Sequence, residues 1–273
     1  EVAQLYRQIF KNGGISGPAA SKSAIPSEII RQLTAELRIP AWRLAGQQES
    51  DGVVKFGVAL EDGAVVESVV IPARNRTTLC VSSQVGCAMG CQFCETGRMG
   101  FVRQLSAEEI VWQAYVARFI LGQTISNVVF MGMGEPLDNF EAVTQAIRVL
   151  SDSRGMNIAC RHITLSTAGH ADGIRRLASL SFPNLRLAVS LHAATDALRD
   201  TLMPINRKYR LARLKEELLA YPLEKDGVFL IEYVLLAGVN DTKEHAYQLA
   251  DFLKGLPVRI NLIAYNAGRS AAF

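Results

Sequence analysis

Near residue 77 the hydrophobic pattern of this chain changes period. Upstream, LYRQIF at 5–10 and SEIIRQLTAELRI at 27–39 repeat apolar residues at helical spacing, the second following Pro26. GGISGPAASKSA between them has the composition of a linker. VVKFGVALEDGAVVESVVI at 53–71 then holds two β-branched runs around Asp62-Gly63, a hairpin signal that puts Glu67 on the second strand. The pattern predicts a small N-terminal helical domain over 1–50 and a β-hairpin with linker over 51–76.

Downstream, short apolar strands alternate with amphipathic helices, as βα units of a parallel sheet do. The strand candidates are TLCVSS, NVVFMGMG, HITLSTAG, RLAVSLHA, LIEYVLLAG and RINLIAYN; the helices between them include AEEIVWQAYVARFIL, FEAVTQAIRVLSD, ADGIRRLASL, LARLKEELLAY and TKEHAYQLADFLKGL. Six strands are too few for a closed eight-stranded barrel, so the core over 77–273 is either an open, partial barrel or a doubly wound sheet. Several strands run into glycine-rich or polar residues: GMGEP at 132–136, STAG at 166–169, SLH at 190–192, GVN at 238–240 and Tyr265-Asn266. In parallel α/β folds the carboxyl ends of the strands carry the site, so these segments are expected to converge.

Composition changes this picture little. No apolar run approaches the roughly 20 residues of a membrane span, the first residues lack a secretory signal, and the sequence does not start with Met, so part of the protein is expected to be missing. A net charge of +3 does not by itself argue for nucleic acid. Cysteine usage is the exception. Four of five cysteines fall in CVSSQVGCAMGCQFCETG at 80–97, and Cys87, Cys91 and Cys94 are spaced C-x3-C-x2-C. A chain this long needs no disulfide framework, and clustered thiols without a signal fit a reducing cytoplasm, which leaves metal or redox chemistry. Three thiolates on an iron-sulfur cluster leave one iron open to a ligand, whereas a four-Cys zinc site with Cys80 as fourth ligand would be closed. Zinc knuckles are ordinarily two C-x2-4-C pairs, which weighs against that alternative.

C-x3-C-x2-C after the first parallel strand and GMGEP after the second resemble the radical S-adenosylmethionine superfamily. CVSSQVGCAMGCQFC, VVFMGMGEPLDN, ITLSTAG, AVSLHA, PINRKY, IEYVLLAGVND and INLIAYN resemble, in order, the blocks of its RlmN/Cfr group of RNA-adenine methyltransferases. The resemblance implies a partial (β/α)6 barrel of the radical SAM type. It further implies a [4Fe-4S] cluster on Cys87, Cys91 and Cys94 whose fourth position chelates S-adenosyl-L-methionine (SAM), with SAM contacts at Gly134, Glu135, Ser166, Ser190, Leu191, His192 and Asn266. Reductive cleavage of SAM to a 5'-deoxyadenosyl radical would follow, with an electron donor such as flavodoxin. The implied substrate is an adenine of 23S ribosomal RNA, carbon 2 favoured over carbon 8, with transfer RNA as a further candidate, in a cytoplasmic monomer without membrane attachment.

The same resemblance assigns Cys80 as the catalytic cysteine that releases the product by forming a disulfide with a methyl-carrying cysteine, and Glu67 as proton acceptor. In the family the methyl carrier lies in a tail after the INLIAYN block, where this sequence reads AGRSAAF; Cys160 precedes its strand at the end away from the SAM face and is rejected as a substitute. A truncated chain is therefore expected. Arg74, Arg76, Arg98, Arg103, Arg207, Lys208 and Arg210 are candidate phosphate contacts around the site. Two alternatives stay open: a radical SAM enzyme of the same lineage acting on a non-RNA substrate, and a cluster-bearing RNA-binding protein without methyl transfer.

Overall fold

The computed structural model describes residues 2–13, 28, 32 and 42–267. Helix α1 spans Val2–Asn12, as its periodicity predicts. The linker and the helix over 27–39 lie outside the described residues, apart from Glu28 and Gln32, both helical and joined by a 3.3 Å side-chain hydrogen bond.

Residues 43–50, expected within the helical domain, are instead strand β1, Arg43–Ser50. It pairs antiparallel with β2, Val53–Ala59, across Asp51-Gly52, whose φ of 51° and 77° are the two left-handed positions of a tight hairpin turn. β1 is almost wholly exposed, so no buried apolar stripe announces it. β3, Val65–Ala73, completes the expected hairpin with β2 and carries Glu67. β3 also pairs antiparallel with β4, Arg76–Cys80, so the segment over 51–76 extends the core sheet rather than linking to it.

From β4 the strands are parallel: β7 (Asn127–Phe130), β8 (Ile163–Thr167), β9 (Arg186–Ser190), β10 (Phe229–Leu235) and β11 (Val258–Ala264). They are hydrogen-bonded in chain order, with none of the reversal that defines a doubly wound sheet, which leaves the open partial barrel. Strand residues alternate between two environments. Leu79, Val128, Phe130, Ile163, Leu165, Leu187, Val189, Phe229 and Ile231 join one large core with the helices. Thr78, Asn127, Thr164, Ser166, Ser190 and Glu232 occupy the alternate positions, so the opposite face is polar.

A second, short ribbon lies outside this sheet: β5 (Gln84–Gly86) pairs antiparallel with β6 (Phe101–Gln104), and helix α2 (Glu95–Met99) lies between them. The remaining helices follow the strands: α3 (Ala107–Tyr115, running into a π-helical turn over Val116–Ile120), α4 (Phe140–Ser151), α5 (Ala171–Ala178), α6 (Asp196–Leu202), α7 (Leu211–Ala220) and α8 (Lys243–Leu253). Among the described residues no helix is long and apolar enough to cross a membrane.

Candidate functional site

The β5–β6 ribbon is the neck of the cysteine loop. Cys87 N–H donates to the Gly100 carbonyl at 2.9 Å, closing residues 87–100 into one loop. Gly86 makes the neck possible: its φ is 74°, and a Cβ there would lie 1.9 Å from the Gly100 oxygen. Within the loop, Cys94 N–H donates to the Cys91 carbonyl, and Gln92 N–H to the Leu202 carbonyl at the end of α6. Gly97 approaches so closely that its Cβ would meet Cys91 N at 2.9 Å. These bonds bring Cys87, Cys91 and Cys94 together as free thiols.

Their electrostatics fit an iron-sulfur cluster. Burial, then the neighbouring Cys94 and Cys87, push the Cys91 thiol up to about 12; burial pushes Cys87 up to about 11 against a backbone donor from Met89. The buried Cys87 and Cys91 thiols resist ionisation until a positively charged partner is bound, which is how a coordinated metal overrides thiol pKa. Cys80 stands apart from this loop: it ends β4, paired with Val69 on one side and Val129 on the other, which speaks against it as a fourth ligand.

The polar strand ends converge on this loop. Cys91 packs with Ala168, Ala193, Val234 and Leu236, from the segments after β8, after β9 and around the end of β10; Met89, Phe93, Cys94 and Tyr265 pack against the same group. The Glu135 carboxylate, buried after β7, accepts from Leu137 N–H at 3.1 Å and Ala168 N–H at 2.7 Å, tying GEP to STAG. Burial raises it to about 7 despite these donors. Gly134 has φ 104° and packs so tightly that its Cβ would lie 2.6 Å from Gln84. Ser166 and Leu191 are buried, Ser190 is half-buried, and Asn266 is exposed beyond β11.

His192 turns its ring into the core. Its Nδ1 accepts from Val234 N–H at 3.0 Å, and its ring meets Phe93 of the cysteine loop edge-on at 4.7 Å. Asn240 donates to the His192 carbonyl and to that of Val234, joining the SLH and GVN segments. Burial, helped by Arg199, lowers His192 to about 3, so the ring is neutral. Between about pH 3 and 6.5 the unfolded chain binds a proton there that the folded chain refuses. Unfolding free energy is thus expected to fall on acidification by roughly 1.4 kcal/mol per pH unit inside that window, and to be unaffected by this group above it. His192→Asn, which tolerates the observed φ of 57° and offers an oxygen to Val234 N–H, should flatten the slope in urea titrations at stepped pH.

Arg199 is the largest fully buried side chain, and sequence reasoning passed over it. Its guanidinium donates to the carbonyls of Ala168 at 2.7 Å, Leu191 at 3.1 Å and Ser190 at 3.3 Å, and to Asn206 Oδ1 at 3.0 Å. One cation thus binds together the loops after β8 and β9. Its signal is faint: Arg199 stands three residues before buried Leu202, where the helical pattern calls for an apolar residue. Gln113 was missed likewise; from α3 it accepts from Ser82 N–H and donates to the Ser82 carbonyl, fixing the bend after Cys80.

Cys80 and Glu67 occupy the polar face. Val69 is directly opposite Cys80, and Glu67, two residues away on the same face, is its diagonal neighbour at about 7–8 Å between backbones. Glu67 is half exposed and paired with Lys55 at 2.7 Å. Burial pushes the Cys80 thiol up to about 11, moderated by the Met131 N–H. Cys160 sits in a turn before β8, away from the strand ends at the site. All five cysteines are free, so the expected disulfide is not formed within the chain: its one remaining candidate partner for Cys80 outside the thiol loop is on the wrong end of β8.

Two of the basic candidates are engaged elsewhere. Arg103 is held by Asp62 at 2.6 Å and by both oxygens of Glu109 at 2.8 and 3.0 Å, and Arg210 by Asp200 at 2.6 Å. Arg98 donates to the Gln92 carbonyl, bracing the cysteine loop. Arg74, Arg76, Arg207 and Lys208 are exposed.

Comparison with known proteins agrees with this geometry. Residues 81–252 match the model of the radical SAM superfamily. The dual-specificity RNA methyltransferase RlmN of Syntrophobacter fumaroxidans is 44% identical over 273 residues, covering 99% of this chain and 79% of that protein. Its namesake in Halorhodospira halophila is 50% identical over 224 residues, covering 81% and 62%. A radical SAM methyltransferase from Sphaerobacter thermophilus superposes with a TM-score of 0.90 at 37% identity, over 99% of this chain and 80% of that one.

Proposed function

Because this chain belongs to the radical SAM superfamily, and within it to the RlmN family of RNA methyltransferases, we propose that it methylates a ring carbon of adenine, carbon 2 favoured, in 23S ribosomal RNA and also in transfer RNA. The observation that carries this reading is the separation of thiols into two sets: three on a necked loop that meets the strand ends, and Cys80 on the polar face beside Glu67. A cluster-bearing protein that only bound RNA would have no use for the second set.

The cofactors of the superfamily are a [4Fe-4S] cluster and SAM, which together supply a carbon radical strong enough to take hydrogen from a methyl group. Cys87, Cys91 and Cys94 hold the cluster. Glu135 receives the amino group of SAM: each carboxylate oxygen already takes one backbone N–H and keeps a lone pair for an ammonium. Gly134 lets the ligand approach the backbone, Ser166 and Ser190 offer hydroxyls from the polar face, and Leu191, His192 and Asn266 line the same end of the strands, His192 through its backbone since its ring is committed.

Cys80 and Glu67 act on the adenine. Glu67, paired with Lys55, takes the ring proton once a methylene bridge joins adenine to the methyl-carrying cysteine, and the odd electron left by that addition would pass to the cluster. The Cys80 sulfur then attacks the carrier sulfur, a disulfide forms, and the sulfur–carbon bond breaks with its electron pair going to the methylene, which takes up the proton lost by Cys80 and becomes the methyl group of the product. Outside the cluster set, Cys80 is the cysteine of this sequence at that place, so this reading requires a second cysteine as methyl carrier. Exposed Arg74, Arg76, Arg207 and Lys208 hold backbone phosphates while the base enters.

The test is product analysis. Incubation of the protein, with the methyl-carrying cysteine present, with methyl-labelled SAM, reductant and 23S ribosomal RNA, followed by nucleoside mass spectrometry, is expected to give 2-methyladenosine. Labelled 8-methyladenosine would reassign the ring carbon, and label absent from RNA would remove the RNA reading.

A further inference from the structure

A cavity of about 290 Å³ opens at the starting ends of β8 to β11, away from the thiol loop. Arg161 comes from the turn before β8, Arg186 from the first position of β9, Arg259 from β11, and Lys225 from the segment between α7 and β10. Four cations thus reach one concavity from four separate segments. All three arginines are exposed, and none has a side-chain hydrogen bond or ion pair among the described residues, although Glu224 and Asp226 stand on the same rim. Arg103, Arg154, Arg175, Arg176, Arg210 and Arg213, by contrast, sit on carboxylates.

Tyr221 and Phe182 line the cavity beside the arginines. Guanidinium forks with aromatic faces suit a phosphate that carries a planar base. An acidic peptide would satisfy the charge but leave the rings without a matching partner.

We propose that this cavity is a second RNA-binding site, which grips a backbone phosphate and its nucleotide remote from the reacting adenine. The proposal rests on the RNA reading of the thiol face. Arg186 lies four residues before Ser190 on β9, and Arg259 seven before Asn266 along β11, so the two sites are separated by roughly 13 to 23 Å along the strands. An RNA held at both places has its register fixed by contacts that carry no base sequence, which lets one enzyme accept different RNAs presenting the same adenine.

The experiment is fluorescence anisotropy of a labelled 23S ribosomal RNA fragment, titrated with the cluster-loaded protein across a salt series, using wild type and the exposed triple variant Arg161→Gln/Arg186→Gln/Arg259→Gln. The variant is expected to bind at least tenfold more weakly, with the slope of log K against log salt shallower by about two, while SAM binding stays unchanged. Affinity and slope equal to those of wild type would overturn the second site and leave the RNA reading standing. Loss of adenosine monophosphate or inorganic phosphate binding without loss of RNA binding would make the cavity a small-anion site and also overturn it. Failure of the wild type to bind RNA would overturn both readings at once.

Discussion

Replacing Cys87, Cys91 or Cys94 with Ala is expected to abolish iron-sulfur loading and every SAM-dependent reaction of the protein, whereas Cys80→Ala is expected to keep the full cluster. The three thiols share one loop, necked at Cys87 N–H to Gly100 O and braced on α6 through Gln92. Cys91 interacts electrostatically with Cys87 and Cys94, and burial holds Cys87 and Cys91 protonated until metal binds. Removing one leaves two anchors for a group that needs three from the protein; Cys80 is held in β4 and Cys160 lies in the turn before β8, away from the site. Anaerobic reconstitution, iron and sulfide counting and electron paramagnetic resonance of the reduced protein give the readout. Iron loss from Cys80→Ala would sink the three-ligand assignment.

The six parallel strands were legible because their outward residues must be apolar against helices while their ends turn glycine-rich or polar, and both patterns are local. Convergence of GEP, STAG and SLH on the cysteine loop followed from the fold rule for parallel sheets alone. What escaped is what only tertiary contacts create. β1 is exposed and carries no core stripe, β5 is three residues long and exists only as the partner of β6, and α6 is two turns whose place is set by Arg199. His192 was expected among the SAM contacts; that its ring would be taken by the Val234 amide is a tertiary contact that sequence cannot decide. Arg103 and Arg210 looked like phosphate ligands because their carboxylates, Asp62, Glu109 and Asp200, lie 41, 6 and 10 residues away along the chain.

The central claim is that two separate thiol sets divide the work, and Cys80 is where it can be tested most directly. With the methyl-carrying cysteine present, Cys80→Ala should leave cluster, SAM cleavage and carbon–carbon bond formation intact, because Cys80 stands on β4 and is no ligand of the loop. Release alone needs its sulfur. Turnover should fall to the background of a single event, and RNA should stay joined to the protein through the bridging carbon. The measurement is denaturing gel electrophoresis of Cys80→Ala protein incubated with SAM, reductant and labelled 23S ribosomal RNA. The expected result is a protein–RNA adduct that survives denaturant and grows with SAM concentration; normal multiple turnover by the variant, with no adduct, would contradict the account.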